Sequence, residues 1–187
     1  SSFFFFFCFQ KKMLFFFEND IENDEIFSKY AAYMKEQSFK VCREKINPRY
    51  IEKVFRNFHF GWLRVSEKAQ VGKRKRSSRS EQQVYSFILC RYGDNLIYID
   101  LICGRENTRG DGKTLINVVE TFAEEAKMEY NMDVAAVQIY GAINDLTSYY
   151  MNLGYNKGPM IMGKDDDSYI MTKKIVQQNE RENMSAI

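Results

Sequence analysis

Asn95–Cys103, N-L-I-Y-I-D-L-I-C, then Arg109-Gly110-Asp111-Gly112-Lys113-Thr114, then Leu115, Val119, Phe122, Ala126 and Tyr130: the reading of this chain turns on that passage. The first run is dense in β-branched and aromatic residues and follows a Tyr92-Gly93-Asp94 turn, so it predicts a strand. The apolar residues after the glycines recur every third or fourth position and predict a helix, with Lys113, Asn117, Glu120, Glu124 and Lys127 on another face. The local order is strand, glycine turn, helix. Closely spaced glycines let backbone N–H groups approach a pyrophosphate without Cβ obstruction, and the helix dipole adds about half a positive charge at that end.

Working outward, Asp133–Tyr140 reads as a buried strand. Leu146, Tyr149, Tyr150 and Leu153 keep helical spacing, with Asn144 or Asp145 as N-cap and Gly154 as the stop. Ser168–Ile175 alternates like a half-exposed strand. Upstream, Ile26, Phe27, Tyr30, Tyr33 and Met34 predict a helix over Glu25–Glu36, and Phe39 and Val41 around Lys40 predict a first strand. Asn47-Pro48 is a helix start followed by the apolar face Ile51, Val54, Phe55 and Phe58, and Gly61–Ala69 and Gln83–Tyr92 read as strands. From Phe39 the order is strand, helix, three strands, helix, strand, helix, two strands. That order predicts an α/β (α+β) fold: a single domain with a mixed central sheet of about six to seven strands and helices on both faces.

The glycine turn resembles the acyl-CoA-binding motif of the GNAT N-acetyltransferase superfamily, R/Q-x-x-G-x-G/A, with Arg109 first, Gly112 fourth and Thr114 in place of the sixth-position Gly or Ala. Tyr150-Met151-Asn152-Leu153-Gly154-Tyr155 resembles the same family's Y-x-x-x-G-F/Y helix end, and Ser168–Ile175 its last strand. The resemblance covers Leu96–Ile175, and the order of the motifs carries it more than any one of them. It implies an N-acetyltransferase that uses acetyl-CoA, without metal, to acetylate a primary amine by direct attack in a ternary complex. Leu101, Ile102 and Cys103 would then pair with the pantetheine arm, Arg109, Gly110, Asp111, Gly112, Lys113 and Thr114 would wrap the pyrophosphate, and Asn144 would contact the pantetheine region. Tyr150 would protonate the departing thiolate, with Tyr149 as the fallback. Asp100 would be the base, with Glu106 or water as alternatives. The acceptor stays open among a peptide N-terminus, a lysine, a polyamine, an amino sugar or another small amine.

Two other readings stand beside this one. Asn107–Thr114 nearly satisfies the nucleotide-binding P-loop G-x-x-x-x-G-K-[ST], with Asn107 where Gly belongs and Lys113 and Thr114 matching. A GNAT-like domain that binds acyl-CoA without catalysis is the other.

The 187 residues suit one core, expected over residues 18–176, with a polar tail from 177 to 187. Residues 1–17, dominated by phenylalanine, read as low-complexity sequence outside the fold, with Met13 as a candidate start; their apolar runs are too short to span a bilayer. A net charge of +2 makes no broad case for nucleic acid or an acidic membrane. The Lys73–Arg79 cluster reads as a solvated loop that also admits a nucleic-acid contact, and Lys73–Arg76 admits nuclear import. Cys8, Cys42, Cys90 and Cys103 form no C-x-x-C pair, so reduced thiols in an intracellular, cytoplasmic protein are expected. The single histidine, His59, excludes His-rich zinc motifs.

Overall fold

The computed structural model describes residues 13–42, 46–65, 84–104, 111–161 and 168–176. Strands β1 (Met13–Phe17), β2 (Phe60–Val65), β3 (Val84–Gly93), β4 (Leu96–Gly104), β5 (Ala136–Ile143), β6 (Asn156–Ile161) and β7 (Ser168–Lys174) form one seven-stranded sheet in the order β1-β2-β3-β4-β5-β7-β6. The sheet is mixed: β4 and β5 run parallel, while β1 with β2, β5 with β7 and β6 with β7 are antiparallel. The helices are α1 (Glu18–Asn23), α2 (Glu25–Gln37), α3 (Pro48–Asn57), α4 (Asp111–Tyr130) and α5 (Asn144–Asn152). No described helix is long and apolar enough to cross a membrane. The described residues fall into two compact units, one of those up to Leu89 with 102–104, Asp111 and Gly112, the other of Cys90–Leu101 with those from Lys113 onward.

In the first unit, two expectations are corrected. Residues 13–17, assigned with the phenylalanine-rich end to the outside of the fold, form β1, which pairs with β2 from Met13 opposite Arg64 to Phe17 opposite Phe60. Phe16 is fully buried, with its ring centroid 5.8 Å from that of Phe27 on α2 and 5.9 Å from that of Phe58. Aromatic burial of this size dominates a small core, so the repetitive composition concealed a core strand. Residues 1–12 lie outside the described residues. The expected strand at Phe39 and Val41 is instead a π-helical turn, Ser38–Cys42, that continues α2. Buried Ser38 donates its hydroxyl to the Met34 carbonyl at 2.8 Å, a back-bond of the kind that bends a helix, at the point where α2 passes into the π-helical turn. Two alternating apolar residues are too short a pattern to specify a strand.

The other early elements follow local chemistry. Asp24 caps α2 by accepting from the N–H groups of Ile26 at 2.7 Å and Phe27 at 3.3 Å. Asn47 caps α3, accepting from the Arg49 N–H at 2.9 Å with Pro48 in the first turn. Gly61 is demanded by packing: a Cβ there would stand 2.4 Å from the Ile88 carbonyl oxygen and 2.9 Å from the Phe16 ring.

In the second unit, Asp94 and Asn95 join β3 to β4 with φ of 52° and 58°, the left-handed pair that a two-residue hairpin requires. Helix α4 buries Leu115, Val119 and Ala126 as its spacing predicts, and adds Ile116 and Ala123, whereas Tyr130 at its end is exposed. β6 is an open edge with nearly every residue exposed, blunted by Lys157 and Pro159 in the way edges avoid unwanted pairing.

Candidate functional site

Strand parity decides what β4 offers. Ile97, Ile99, Leu101 and Cys103 alternate on one buried face, and Tyr98, Asp100 and Ile102 take the other. Asp100 is nevertheless almost fully enclosed, because Arg91 of β3 grips its carboxylate with two nitrogens, Nε to Oδ2 and Nη2 to Oδ1 at 2.9 Å. The same guanidinium stands 5.3 Å from the centre of the Tyr98 ring. Such a bidentate grip fixes the plane of the carboxylate.

The ladder between β4 and β5 covers Leu96–Ile99 against Ala136–Ile139. β4 runs on to Gly104 beyond it, so along Asp100–Gly104 the edge of β4 that faced β5 is not taken up by that ladder. β5 itself changes register against β7 between Ile139 and Ala142, where Gly141 has φ of 78°. A strand that runs on past its ladder is a feature an extended amide-bearing ligand can use.

The cysteine expectation is corrected here. Cys103 at the end of β4 is disulfide-bonded to Cys42 in the π-helical turn, across 61 residues of sequence. Nothing in the spacing signals it, because β4 and the turn meet only through tertiary packing. Cys90 is the free thiol among the described residues, buried, its pKa pushed well up first by burial and then by the Asp100 carboxylate. Cys103 is held in the disulfide and burial keeps the Cys90 thiol protonated, so neither sulfur is set up as a nucleophile.

Of the turn itself, Arg109 and Gly110 lie outside the described residues, together with the alternative base Glu106 and with Asn107; so does the Lys73–Arg79 cluster. Asp111 opens α4 with its side chain enclosed, and one carboxylate oxygen accepts from Nη1 of Arg64 on β2. Gly112 is half-buried, while Lys113 and Thr114 are exposed in the first turn. A helix start with a glycine at its second position is a place where backbone N–H groups can meet an anion.

Helix α5 departs from its predicted face. The buried residues are Thr147 and Tyr150, while Leu146, Tyr149 and Met151 are exposed. Neither Asn144 nor Asp145 caps the helix; Ile143 stands at the N-cap without a side-chain bond, and exposed Asn144 is the first helical residue, its carbonyl accepting from the Thr147 hydroxyl at 2.8 Å. Tyr150 at 7 % exposure and Tyr149 at 39 % are thereby told apart. Burial, with a smaller effect from Tyr149, raises the Tyr150 phenol to about 12, so the phenol is protonated throughout the neutral range.

The Y-x-x-x-G-Y pattern has a local cause. After α5, Gly154 adopts φ of 90° and donates to the Met151 carbonyl at 2.9 Å, while Tyr155 donates to the Tyr150 carbonyl at 3.1 Å. This is the two-bond Schellman ending, which asks for glycine at that position. Lys173 of β7 closes the same corner by donating to the Leu153 carbonyl at 2.9 Å and to Glu120 of α4 at 2.6 Å. Burial, with the Glu120 carboxylate acting the same way, pushes the Tyr155 phenol far up. Among the described residues no group of three or more His, Cys, Asp or Glu side chains is placed to hold a metal.

No protein-family model matches the chain, and no curated protein matches it in sequence. Solved structures do match in shape. The catalytic domain of the Tetrahymena GCN5 histone acetyltransferase, solved with coenzyme A, superposes with a TM-score of 0.58 at 17% identity, over 89% of this chain and 94% of that one. NAA60 from Arabidopsis thaliana, solved with a bisubstrate analogue, gives 0.56 at 16% identity over 88% and 98%. An acyl-CoA N-acyltransferase from Pseudomonas aeruginosa gives 0.56 at 11% over 87% and 99%. This chain has the GNAT acetyltransferase fold. Within the GNAT fold the sequence resemblance and the shape agree on element order from β2 onward, and β1 completes the seven strands. The P-loop reading loses its scaffold: a P-loop lies in a largely parallel sheet, whereas here β5, β6 and β7 are joined by antiparallel ladders.

Proposed function

We propose that the chain is an N-acetyltransferase that carries an acetyl group from acetyl-CoA to a primary amine on a peptide or small molecule, by direct attack in a ternary complex. The observation that carries this reading is β4, which outruns its ladder with β5 and leads through the Arg109–Thr114 segment into the exposed first turn of α4. The residues fit the ligand: a strand that outruns its ladder suits the amides of a pantetheine arm, and a glycine-bearing helix start suits a pyrophosphate. When bound, acetyl-CoA supplies an activated acyl group on a thiolate leaving group. Backbone N–H groups near Ile102 and Cys103 polarise the acyl carbonyl. Asn144 contacts the pantetheine region.

Tyr150 holds the proton that the departing thiolate needs. Its raised pKa keeps that proton in place at neutral pH, and positioning compensates for the weaker acidity. Asp100 is the candidate base on the amine, acting from its pair with Arg91 and drawing its proton away through water. Tyr150→Phe lowers kcat by about a hundredfold with little change in the affinity for acetyl-CoA. Asp100→Asn lowers kcat if Asp100 is the base, and equal rates in the two proteins at pH 7 assign that step to water.

The direct test is thermal unfolding of the chain with acetyl-CoA, and separately with Mg²⁺ and ATP, since a ligand that binds the native state raises the melting temperature. Acetyl-CoA alone is expected to shift it. A shift with Mg²⁺ and ATP only would overturn the proposal. A shift with acetyl-CoA, no turnover across an amine panel and no effect of Tyr150→Phe would reduce it to acyl-CoA binding.

A further inference from the structure

We infer that Arg64 is a positioning residue for the phosphates of the acyl donor, acting through Asp111; the inference rests on the acyl-CoA reading above. Asp111 is an unexpected residue to find at a phosphate-binding helix start. Its side chain is nine-tenths enclosed, one oxygen accepts from Arg64, and the other, Oδ2, has no hydrogen-bond partner among the described residues. A helix N-terminus presents only about half a positive charge. A bare carboxylate in the same turn carries a full negative charge, so the sum would repel a pyrophosphate. Burial makes that repulsion stronger than it would be in water.

Arg64 reverses the sign. It rises from β2, in register with Met13 of β1, and delivers its guanidinium to Asp111 from 47 residues upstream. A guanidinium stays charged at any pH of interest, so the pair is neutral and the dipole, with exposed Lys113, is left to attract the anion. Arg64 thus restores an anion site that Asp111 by itself would close.

The test is the affinity for CoA and for pantetheine, which lacks the phosphates, measured by calorimetry on the wild type, Arg64→Met, Asp111→Asn and the double variant. Arg64→Met is expected to weaken CoA binding about tenfold while pantetheine changes less than twofold, and Asp111→Asn in the same chain is expected to restore CoA binding to within about threefold of wild type. Asp111→Asn alone, which leaves Arg64 unneutralised, is expected to tighten CoA binding with a steeper salt dependence, and it serves if Arg64→Met does not fold. Equal losses for CoA and pantetheine, no rescue in the double variant, or Asp111→Asn binding CoA no tighter than wild type would each overturn the inference. Failure of the wild type to bind CoA is a different result: it removes the acyl-CoA reading itself and the inference with it.

Discussion

The two compact units are each held together by different chemistry. The unit built on β1, β2 and the π-helical turn uses a covalent bond and close packing: Cys42 to Cys103, Phe16 between Phe27 and Phe58, and Gly61 against the Ile88 carbonyl. The unit that carries Tyr150 uses hydrogen bonds and ion pairs: the Gly154 turn, Lys173 between Leu153 and Glu120, and Arg91 on Asp100. Packing of the first kind tolerates no added atom and little loss of constraint. Polar networks of the second kind yield in smaller steps.

The largest effect should come from the covalent tie. Reducing Cys42–Cys103 releases a loop spanning 61 residues, and the free energy of unfolding should drop by about 3–4 kcal/mol. Denaturant titration with and without a phosphine reductant measures it; identical curves, with a thiol count that does not rise on reduction, would erase the covalent half of the contrast.

Gly61→Ala comes next. The added methyl has nowhere to go against backbone at 2.4 Å, and we expect about 3 kcal/mol of destabilisation from overpacking. A loss of less than about 1 kcal/mol would mean that β2 and β3 part readily.

A pH dependence sharpens the other side. The Tyr150 phenol is raised from 10 in the unfolded chain to about 12 in the fold. Above pH 10 the unfolded state therefore binds fewer protons than the native one, so stability falls as pH rises. The contribution is intact below pH 10 and fades through about 12, a loss on the order of 2–3 kcal/mol. Tyr150→Phe should flatten that part of the profile, and an unchanged slope would place the titration elsewhere.

The smallest expected effect is local. Gly154→Ala forces a Cβ into φ of 90°, at a cost of about 1–2 kcal/mol, whereas Gly93→Ala, with no heavy atom within 4 Å of the new Cβ, should change stability by less than about 0.5 kcal/mol. Equal costs at the two glycines would show that the turn after α5 adapts.

Legibility followed the range of the interactions. β4, α4, β5 and α5 were readable because periodicity, caps and glycine turns act within a few residues. The same locality explains the Y-x-x-x-G-Y pattern, whose glycine is required by two hydrogen bonds to α5 itself. Misreadings came where distant residues meet. Phe16 looked like low complexity until β2 and Phe58 enclosed it; Leu146 and Tyr149 looked like core until Thr147 and Tyr150 took the buried side of α5. Neither Arg64 nor Arg91 stands out in the sequence, since Asp111 and Asp100 reach them only through the folded chain.

The amino-acid sequence by itself therefore determined the order of elements from α3 onward and the strand–turn–helix on which the functional reading rests. Short-range hydrophobic spacing and backbone chemistry suffice for both. Only the tertiary structure decided that Met13–Phe17 is a core strand, that Cys42 and Cys103 are joined, that Tyr150 rather than Tyr149 is the buried phenol, and that an arginine offsets the carboxylate at the start of α4. Each of those depends on which surfaces meet after the chain has closed, and no periodicity within one segment carries that information.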